Sequence, residues 1–351
     1  MVRLKDIAER AGCSLMTVSK ALRDEPDVSA ATKTRVRELA KQLGYVPDSS
    51  AQGLRTRTTR LFGVAISALT SPVFSRVVLA IEGRARELGY DVLLVHTLDN
   101  PDREETCIRR LLARRVDGLF IAPAYRLSTE ARVYQEVLAS QVPTVLLGHP
   151  APFCQQFVSV EADDLLGSYQ ATQHLLKLGH TRIAFLAGPP ANPWAQERFE
   201  GYRRALREAG QDVDEKLVFQ AGRTFEDGAK AALQMINEST DATAVQTVND
   251  PVAVGCIQEF TRQGLNIPGD ASVVGFGNIL LSEYFRVPLT TVRQPKFRLG
   301  LAAVEAMQQL LKGKRPESKR LSAELVIRES SGIPPAVCRL KPKTAATKTT
   351  I

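Results

Sequence analysis

The sequence predicts two folded parts, a small all-α head and a larger α/β core built from doubly wound parallel sheets. Three observations support this. Apolar residues recur at helical spacing through the first 46 residues, and short apolar strands alternate with amphipathic helices from residue 61 onward. Several of those helices are followed by Gly, which commonly ends a helix. With 351 residues, the chain is long enough to bury a core in each part.

Positive charge is concentrated at the two ends of the chain. Residues 1–60 hold 12 Lys and Arg against 7 Asp and Glu, and residues 339–351 hold 4 basic residues and no acidic ones. The formal net charge of the whole chain is +8, so the long middle section is close to neutral. A basic and patterned head indicates a polyanionic partner, whereas we expect the basic tail to be disordered and non-specific.

Several functional classes are disfavoured by what the sequence lacks. It has no run of 18 uncharged apolar residues, and Asp6 and Glu9 stand where a signal peptide needs an apolar segment, so we expect a cytoplasmic protein. The five cysteines form no CxxC pair and are read as reduced thiols. Without a P-loop, a GxSxG motif or metal-binding histidine spacing, we expect no enzyme, no metal and no cofactor.

The head is predicted to contain three helices. The first covers residues 4–11 and can end at Gly12, the second spans 15–22 after an N-cap at Ser14, and the third runs from residue 29 to about residue 43. Two short helices joined by a tight turn are typical of a helix-turn-helix, whose second helix fits the DNA major groove. A helical bundle that serves only for packing or dimerisation is the alternative interpretation.

The motifs of the head are specific. LKDIAERAGCSLMTVSKAL, followed by DVSAATKTRVRELAKQLGYVPDSSAQGLRT, resembles the DNA-binding end of the LacI/GalR transcriptional repressors, with Cys13 at a position that is usually Val. The resemblance implies that Leu15, Met16 and Lys20 contact bases. Leu15 and Met16 have only apolar surface for thymine methyls, while Lys20 can donate to guanine. The hydroxyl side chains suited to phosphate contacts are those of Ser14, Thr17 and Ser19.

Residues 47–60 are the predicted hinge. The resemblance implies a helix that folds on DNA and inserts Leu54 into the minor groove beside Arg55, while Arg57 neutralises phosphate charge. Gly53 departs from the family pattern, and Gly in a helix costs roughly 1 kcal/mol relative to Ala. We therefore expect a hinge that is less stable away from DNA. A flexible basic linker is the alternative.

From residue 61 onward, eight strand candidates run from LFGVAI to ASVVGF. LGHTRIAFLAGPP, ERFEGYRRAL and TTVRQP extend the same family resemblance, which implies a two-lobed, periplasmic-binding-protein-like core. The predicted domains are 1–46 for the head, 47–60 for the hinge, 61–338 for the effector-binding and dimerisation core, and 339–351 for the tail. Within the core, the predicted lobes are 61–161 with 290–320, and 162–289 with 321–338.

The resemblance also implies an effector in the cleft between the lobes, outside the carboxyl ends of the strands. The side chains expected there are Phe74, Asp163, Asn192, Trp194, Arg198, Arg223, Asn249 and Gln294. Four alternatives stay open: Asp163 in contact between the lobes, Arg198 on a helix surface, Trp194 packed on the protein itself, and Arg223 directed to solvent or paired with Glu226 or Asp227. Asp250 is expected to be a helix cap and His180 to be structural.

The charge of the cleft predicts the effector class. Gly277 stands where most sugar-responsive members of the family carry Asp, and Arg223 stands where relatives commonly carry an aromatic residue. With Arg198, this leaves a cleft expected to be more positive than a neutral sugar needs. Guanidinium groups bind phosphate and carboxylate through paired hydrogen bonds, which favours a sugar phosphate or a sugar acid.

Together these features predict a homodimeric, sequence-specific DNA-binding regulator of transcription, most simply a repressor that binds a palindromic operator. Its partners would be double-stranded DNA and a small effector, either a sugar or an anionic sugar derivative. One alternative is a regulator without a small effector that a protein corepressor controls. A soluble sugar-binding receptor is a less favoured alternative, because a DNA-binding head is attached and a signal peptide is lacking.

Overall fold

The computed structural model describes residues 2–46, 58–336 and 339–340, and the chain divides into two compact units, Met1–Thr59 and Arg60–Ile351. The predicted hinge residues Leu54, Arg55 and Arg57 lie outside the described residues, as does almost all of the tail. The two units are therefore taken separately.

The first unit contains three helices, α1 (Leu4–Ala11), α2 (Leu15–Leu22) and α3 (Ala30–Gln42). The Ser14 hydroxyl caps α2 by accepting a hydrogen bond from the backbone N–H of Thr17 at 3.1 Å. Small and branched apolar side chains close the core of this unit, namely Ile7, Ala8, Ala11, Val18, Ala21, Val36 and Ala40. These helices match the bounds predicted from the sequence to within one or two residues.

The second unit alternates strands and helices. Its strands are β1 (Leu61–Ile66), β2 (Asp91–His96), β3 (Gly118–Ile121), β4 (Thr144–Leu147), β5 (Val158–Ala162), β6 (Ile183–Ala187), β7 (Val218–Gln220), β8 (Ala244–Thr247), β9 (Ser272–Gly277), β10 (Thr290–Arg293), β11 (Lys319–Leu321) and β12 (Glu324–Val326). Its α-helices are α4 (Pro72–Glu87), α5 (Pro101–Ala113), α6 (Arg132–Ser140), α7 (Asp164–Lys177), α8 (Pro193–Glu208), α9 (Phe225–Asn237), α10 (Asp250–Arg262) and α11 (Lys296–Leu311).

The strands form two sheets of six, and each sheet is the centre of one lobe. The first lobe has the strand order β11-β5-β4-β3-β1-β2, with every pair parallel. The second has the order β12-β10-β9-β8-β6-β7, parallel except where β12 runs against β10. Two doubly wound sheets are the predicted fold class, and the structure confirms it.

The chain passes between the lobes after β5, after β10 and after β11. The lobe bounds predicted from the sequence place the second crossing near residue 289, before β10, whereas the structure places it after β10. β10 pairs with β9 and β12, so residues 290–293 belong to the second lobe and the crossing follows Arg293. The strand is short and begins with two threonines, so its apolar pattern is too weak to predict a strand from the sequence.

Within the described residues, no helix has the length and apolar character needed to cross a membrane. Four cysteines in that part of the chain, Cys13, Cys107, Cys154 and Cys256, are free thiols.

Candidate functional site

The first unit presents the beginning of α2 to solvent. Leu15 and Met16 are 52% and 64% exposed, although both are large apolar side chains. A short helix that is held by an N-cap and leaves two apolar side chains at its first turn open has the form of a recognition helix. The structure thus places two of the three predicted base-contacting residues, Leu15 and Met16, where a partner can reach them.

Lys20 lies on the same helix but is not free. Its amino group donates to the carboxylate of Asp27, in the segment between α2 and α3, and this hydrogen bond lowers the pKa of Asp27. Ser14 and Thr17 are bonded to one another through their hydroxyls at 2.9 Å. A contact between Lys20 and a base therefore has to compete with Asp27.

The second unit holds a cavity of about 520 Å3 between its two lobes. Its wall comes from the segments that follow the carboxyl ends of the strands in both sheets, such as Ser67, His149, Asn249 and Gln294. Ligands bind at this position in doubly wound sheets, and the volume suits a small molecule. Among the residues predicted for the cleft, those lining the cavity are Phe74, Asn192, Trp194, Arg198, Arg223, Asn249 and Gln294.

Asp163 is the exception among the predicted residues. It does not line the cavity but caps α7, accepting a hydrogen bond from the N–H of Leu166 at 3.0 Å. Its neighbour Asp164, the first residue of the helix, lines the cavity instead. A shift of one residue at a helix start turns a carboxylate from the cleft to the backbone, and this explains the incorrect prediction.

Arg198 is buried in the wall of the cavity and is fully engaged. Its Nε and Nη2 donate to Oδ1 of Asp164 at 2.9 and 2.7 Å, and its Nη1 donates to the carbonyl of Val248 at 2.5 Å. Its guanidinium carbon lies 3.7 Å from the ring centroid of Phe276 and 4.7 Å from that of Trp194. Burial lowers the pKa of Arg198 and raises that of Asp164, while the charge of each group opposes the shift of the other.

Arg223 is also paired, with a residue that sequence reasoning did not consider. Its Nη1 lies 2.7 Å from Oδ2 of Asp99, which follows β2 in the first lobe, whereas Arg223 precedes α9 in the second. Both arginines in the cavity wall are therefore neutralised. The lining also contains Glu161. The two uncompensated positive charges expected from the sequence are not there, and an anionic effector loses its main support at this cleft.

Unlike the two arginines, the amide side chains of Asn192 and Gln294 in the cavity wall have no hydrogen-bond partner among the described residues. Asn192 and Gln294 are largely buried, at 8% and 9% exposure, yet within the described residues neither amide group takes part in a hydrogen bond. Asn249, by contrast, caps α10 through Oδ1 and donates to the carbonyl of Arg223. Asp250 is not the cap predicted for this helix. It lies inside the fold and accepts hydrogen bonds from Ile279, Ser282 and Thr291.

A partly buried polar network lies at the boundary between the lobes, and sequence reasoning did not find it. His149 of the first lobe lies 3.0 Å from Oε2 of Glu197 and 3.6 Å from Oδ2 of Asp164, both in the second lobe. Arg320, on β11, binds Glu161 at 2.7 Å and Glu197 at 2.7 Å. These residues are far apart along the chain and form no sequence motif, so only the fold brings them together.

Both units of the chain are similar to known proteins. Residues 3–48 match the model of bacterial regulatory proteins of the lacI family, and residues 172–331 match a periplasmic binding protein-like domain. The transcriptional regulator DegA of Bacillus subtilis (strain 168) is 30% identical over 93% of this chain and 97% of its own length. The transcriptional repressor CytR of Escherichia coli (strain K12) is 32% identical, over 93% and 96% respectively.

A similar solved structure is that of the lac repressor dimer bound to operator and the anti-inducer ONPF. It is 32% identical to this chain, covers 94% of it and 99% of its own chain, and superposes with a TM-score of 0.84. The similarity therefore extends through both folded units rather than through one domain alone.

Proposed function

The chain belongs to the LacI family of bacterial regulatory proteins. On that premise we propose that it is a repressor and that a small molecule controls its binding to the operator. The observation that carries the proposal is that one chain combines an open recognition helix with an interlobe cavity in its other unit. Binding of a ligand to one arrangement of the lobes shifts the population of arrangements, and DNA affinity changes with it.

We propose that the head binds operator DNA through α2. Leu15 and Met16 pack on thymine methyls and Lys20 reads one guanine, while Ser14, Thr17 and Ser19 position the helix on phosphates. The exposure of Leu15 and Met16 supports this assignment. For the hinge, the proposal is based on the sequence alone. Leu54 would enter the minor groove beside Arg55, and Arg57 would contact phosphate.

We propose that the working form is a homodimer on an inverted repeat, because a two-fold axis in the protein calls for one in the operator. The turn after β9 exposes Leu280, Leu281 and Tyr284, a cluster of apolar side chains that a second copy would cover. The lac repressor is a dimer on its operator, which is consistent with this proposal. A regulator that binds DNA acts where the DNA is, so we place the protein in the cytoplasm.

For the effector, we propose an uncharged molecule rich in hydroxyl groups, such as a sugar. The free amides of Asn192 and Gln294 each offer a donor and an acceptor, and the ring of Trp194 offers a flat apolar face. Phe74 adds a second aromatic side chain to the wall. With both arginines of the cleft held by carboxylates, hydrogen bonding rather than charge would select the ligand.

Two measurements test the proposed function. Selection of binding sites from random DNA by the full chain should return an inverted repeat, and the affinity for it should exceed that for shuffled DNA by at least about 1000-fold at the same salt concentration. A panel of sugars should then include one that changes operator affinity in wild type but not in the Asn192→Ala/Gln294→Ala protein. Recovery of no consensus sequence, with a folded head, would show that the chain does not recognise an operator.

A further inference from the structure

A second cavity, of about 450 Å3, opens beside the interlobe cleft, and we call it the rim pocket. Its wall comes from both lobes, since α4 and α11 supply one side and the turn after β9, the end of β10 and Arg328 supply the other. The rim pocket shares Pro72, Ile279 and Gln294 with the cleft. Its basic lining residues are Arg76, Arg293, Lys296, Arg298 and Arg328, and Glu283 is the acidic one.

The positive charge of the rim pocket is not compensated by the protein. Arg76, Arg293 and Arg298 are exposed and make no ion pair or side-chain hydrogen bond within the part of the chain that the structure describes. Glu283 lies 3.9 Å from Arg328, which already donates to the side chain of Asn278 and the carbonyl of Leu289. One acidic side chain thus faces five basic ones.

Among the described basic residues of the rim pocket, Lys296 is the one that lies inside the protein. Its amino group is buried and donates to the carbonyls of Gly277 and Asn278. Burial is the main cause that lowers the pKa of Lys296 to about 8. The charge of Asp250 opposes this shift, and the charges of Arg76 and Arg293 lower the pKa further by a smaller effect. An anion beside Arg76 and Arg293 would be attracted by the same charges.

Two helix N-termini also meet at the rim pocket. α4 begins at Pro72 and α11 begins at Lys296, each helix has 16 residues, and no side chain caps either of them. The N-terminal end of a helix carries a partial positive charge and unpaired N–H groups, which favour a bound anion. Arginine side chains and helix ends together are the usual components of a phosphate site.

We propose that the rim pocket binds a phosphate group, and that the bound anion holds the two lobes together. The anion would bridge Arg76 and Arg298 of the first lobe to Arg293 of the second, so its affinity depends on how the lobes are arranged. A phosphate bound there would therefore regulate the protein through contacts outside the hydrogen-bonding site in the cleft. This proposal does not depend on which operator the head recognises.

The phosphate has two possible sources, because the rim pocket and the cleft share part of their walls. Either a free phosphate ion binds, or the phosphate is carried by a molecule whose remainder lies in the cleft. Affinities for inorganic phosphate, pyrophosphate and a panel of sugar phosphates separate the two. A sugar phosphate that binds at least tenfold more tightly than inorganic phosphate, and loses that advantage in Asn192→Ala, indicates the second source. Equal affinities indicate the first, and either result supports a phosphate site.

Calorimetric titration of the full chain with inorganic phosphate and pyrophosphate at constant ionic strength tests the site. We expect binding in wild type and at least a tenfold loss of affinity in Arg293→Gln/Arg298→Gln. Arg204→Gln/Arg207→Gln, which changes two exposed arginines of α8, is the charge-matched control and should bind like wild type. Because the changed arginines are exposed in both double variants, thermal unfolding should be unchanged. Absence of binding in wild type, or equal binding in wild type and Arg293→Gln/Arg298→Gln, would overturn the proposal.

Discussion

Arg223 and Asp99 form an ion pair across the mouth of the cleft, with Nη1 2.7 Å from Oδ2. Each residue belongs to a different lobe, so the pair links the lobes directly. Their side chains are 42% and 31% exposed, and ion pairs at that exposure contribute little to stability. The pair is therefore suited to open and close with the lobes rather than to lock them.

Removal of this pair should leave effector binding in place. We expect a double-mutant cycle of Arg223→Ala and Asp99→Asn to give a coupling energy of about 0.2–1 kcal/mol in urea unfolding. A thermal-shift panel of neutral sugars, sugar phosphates and sugar acids should show the same ligand preference in Arg223→Ala and in wild type. Complete loss of ligand-induced stabilisation in that variant would instead make Arg223 a ligand contact.

The pairing of Lys20 with Asp27 makes a prediction about operator readout. Lys20→Ala should relax base preference at one operator position, at a cost of about 1–3 kcal/mol for the preferred base. Asp27→Asn should release Lys20 and tighten binding to the preferred operator, because the competing carboxylate is removed. Binding-site selection with each variant measures both effects. Lys177→Ala, in the second unit, is the control, and a uniform loss over all DNAs in Lys20→Ala would refute the assignment.

The hinge prediction comes from the sequence. Gly53→Ala should stabilise a helix there by roughly 1 kcal/mol and tighten operator binding, while Leu54→Ala should reduce operator bending without unfolding the head. Arg57→Ala should weaken binding to all DNAs and lower the salt slope by about one. Anisotropy titrations over a range of salt concentrations, together with circular permutation gels, measure these quantities. Unchanged or weaker binding by Gly53→Ala would mean that glycine is required for its shape.

The fold was predictable because its signals are local. Gly12 ends α1 and Ser14 caps the start of α2. The apolar runs at 61–66 and 144–147 are the observed strands β1 and β4. The strands that sequence reasoning missed have three or four residues and few consecutive apolar side chains, as in KRL and ELV. Such strands form because neighbouring strands provide hydrogen-bond partners, and the local sequence does not show which strands will be neighbours.

The site was predictable in its membership but not in its electrostatics. Trp194 and Arg198 were assigned to the cleft by resemblance, and the structure brings both to the cavity wall. The ion-pair partners of Arg198 and Arg223 are not predictable from the sequence, because Asp164 and Asp99 approach them only through the packing of distant elements. A count of charges in the sequence therefore gave a positive cleft, whereas the pairing of those charges in the fold makes it nearly neutral.

The backbone at Gly277 predicts that an Asp at this position would destabilise the protein. Its φ is 138°, a backbone conformation that side chains rarely adopt, and a Cβ there would lie 3.4 Å from Oδ2 of Asp250. Gly277→Asp should therefore cost about 1–3 kcal/mol through backbone strain, with repulsion from Asp250 in addition. Gly277→Ala should show the strain without the repulsion. Gly269→Ala is the control, because a Cβ there would make only ordinary van der Waals contact with Asn266, at 3.9 and 4.0 Å. Equal urea midpoints for wild type and Gly277→Asp would contradict this account.

His149 should make the lobe boundary sensitive to pH. Burial disfavours its charged form, but the hydrogen bond to Glu197 and the charges of Asp164, Glu161 and Glu197 outweigh burial, so the pKa of His149 is raised. The other charged groups of this network are Arg198 and Arg320. A raised pKa in the folded state means that the stabilisation is complete below the unfolded value, about 6.5, and is lost as the pH rises through the folded value.

The measurement has to separate His149 from a second group that titrates nearby. Burial raises the pKa of Glu104 to about 7, and its contribution to stability is also lost as the pH rises. We therefore compare wild type with His149→Gln, which keeps a donor for Glu197, in urea unfolding between pH 5.5 and about pH 8.5. The difference in the free energy of unfolding should be level below about pH 6.5 and shrink as the pH rises above that value, while the Glu104 contribution cancels. A difference that stays constant over this range would show that His149 is neutral in the folded protein and that the lobes are joined there by an uncharged hydrogen bond.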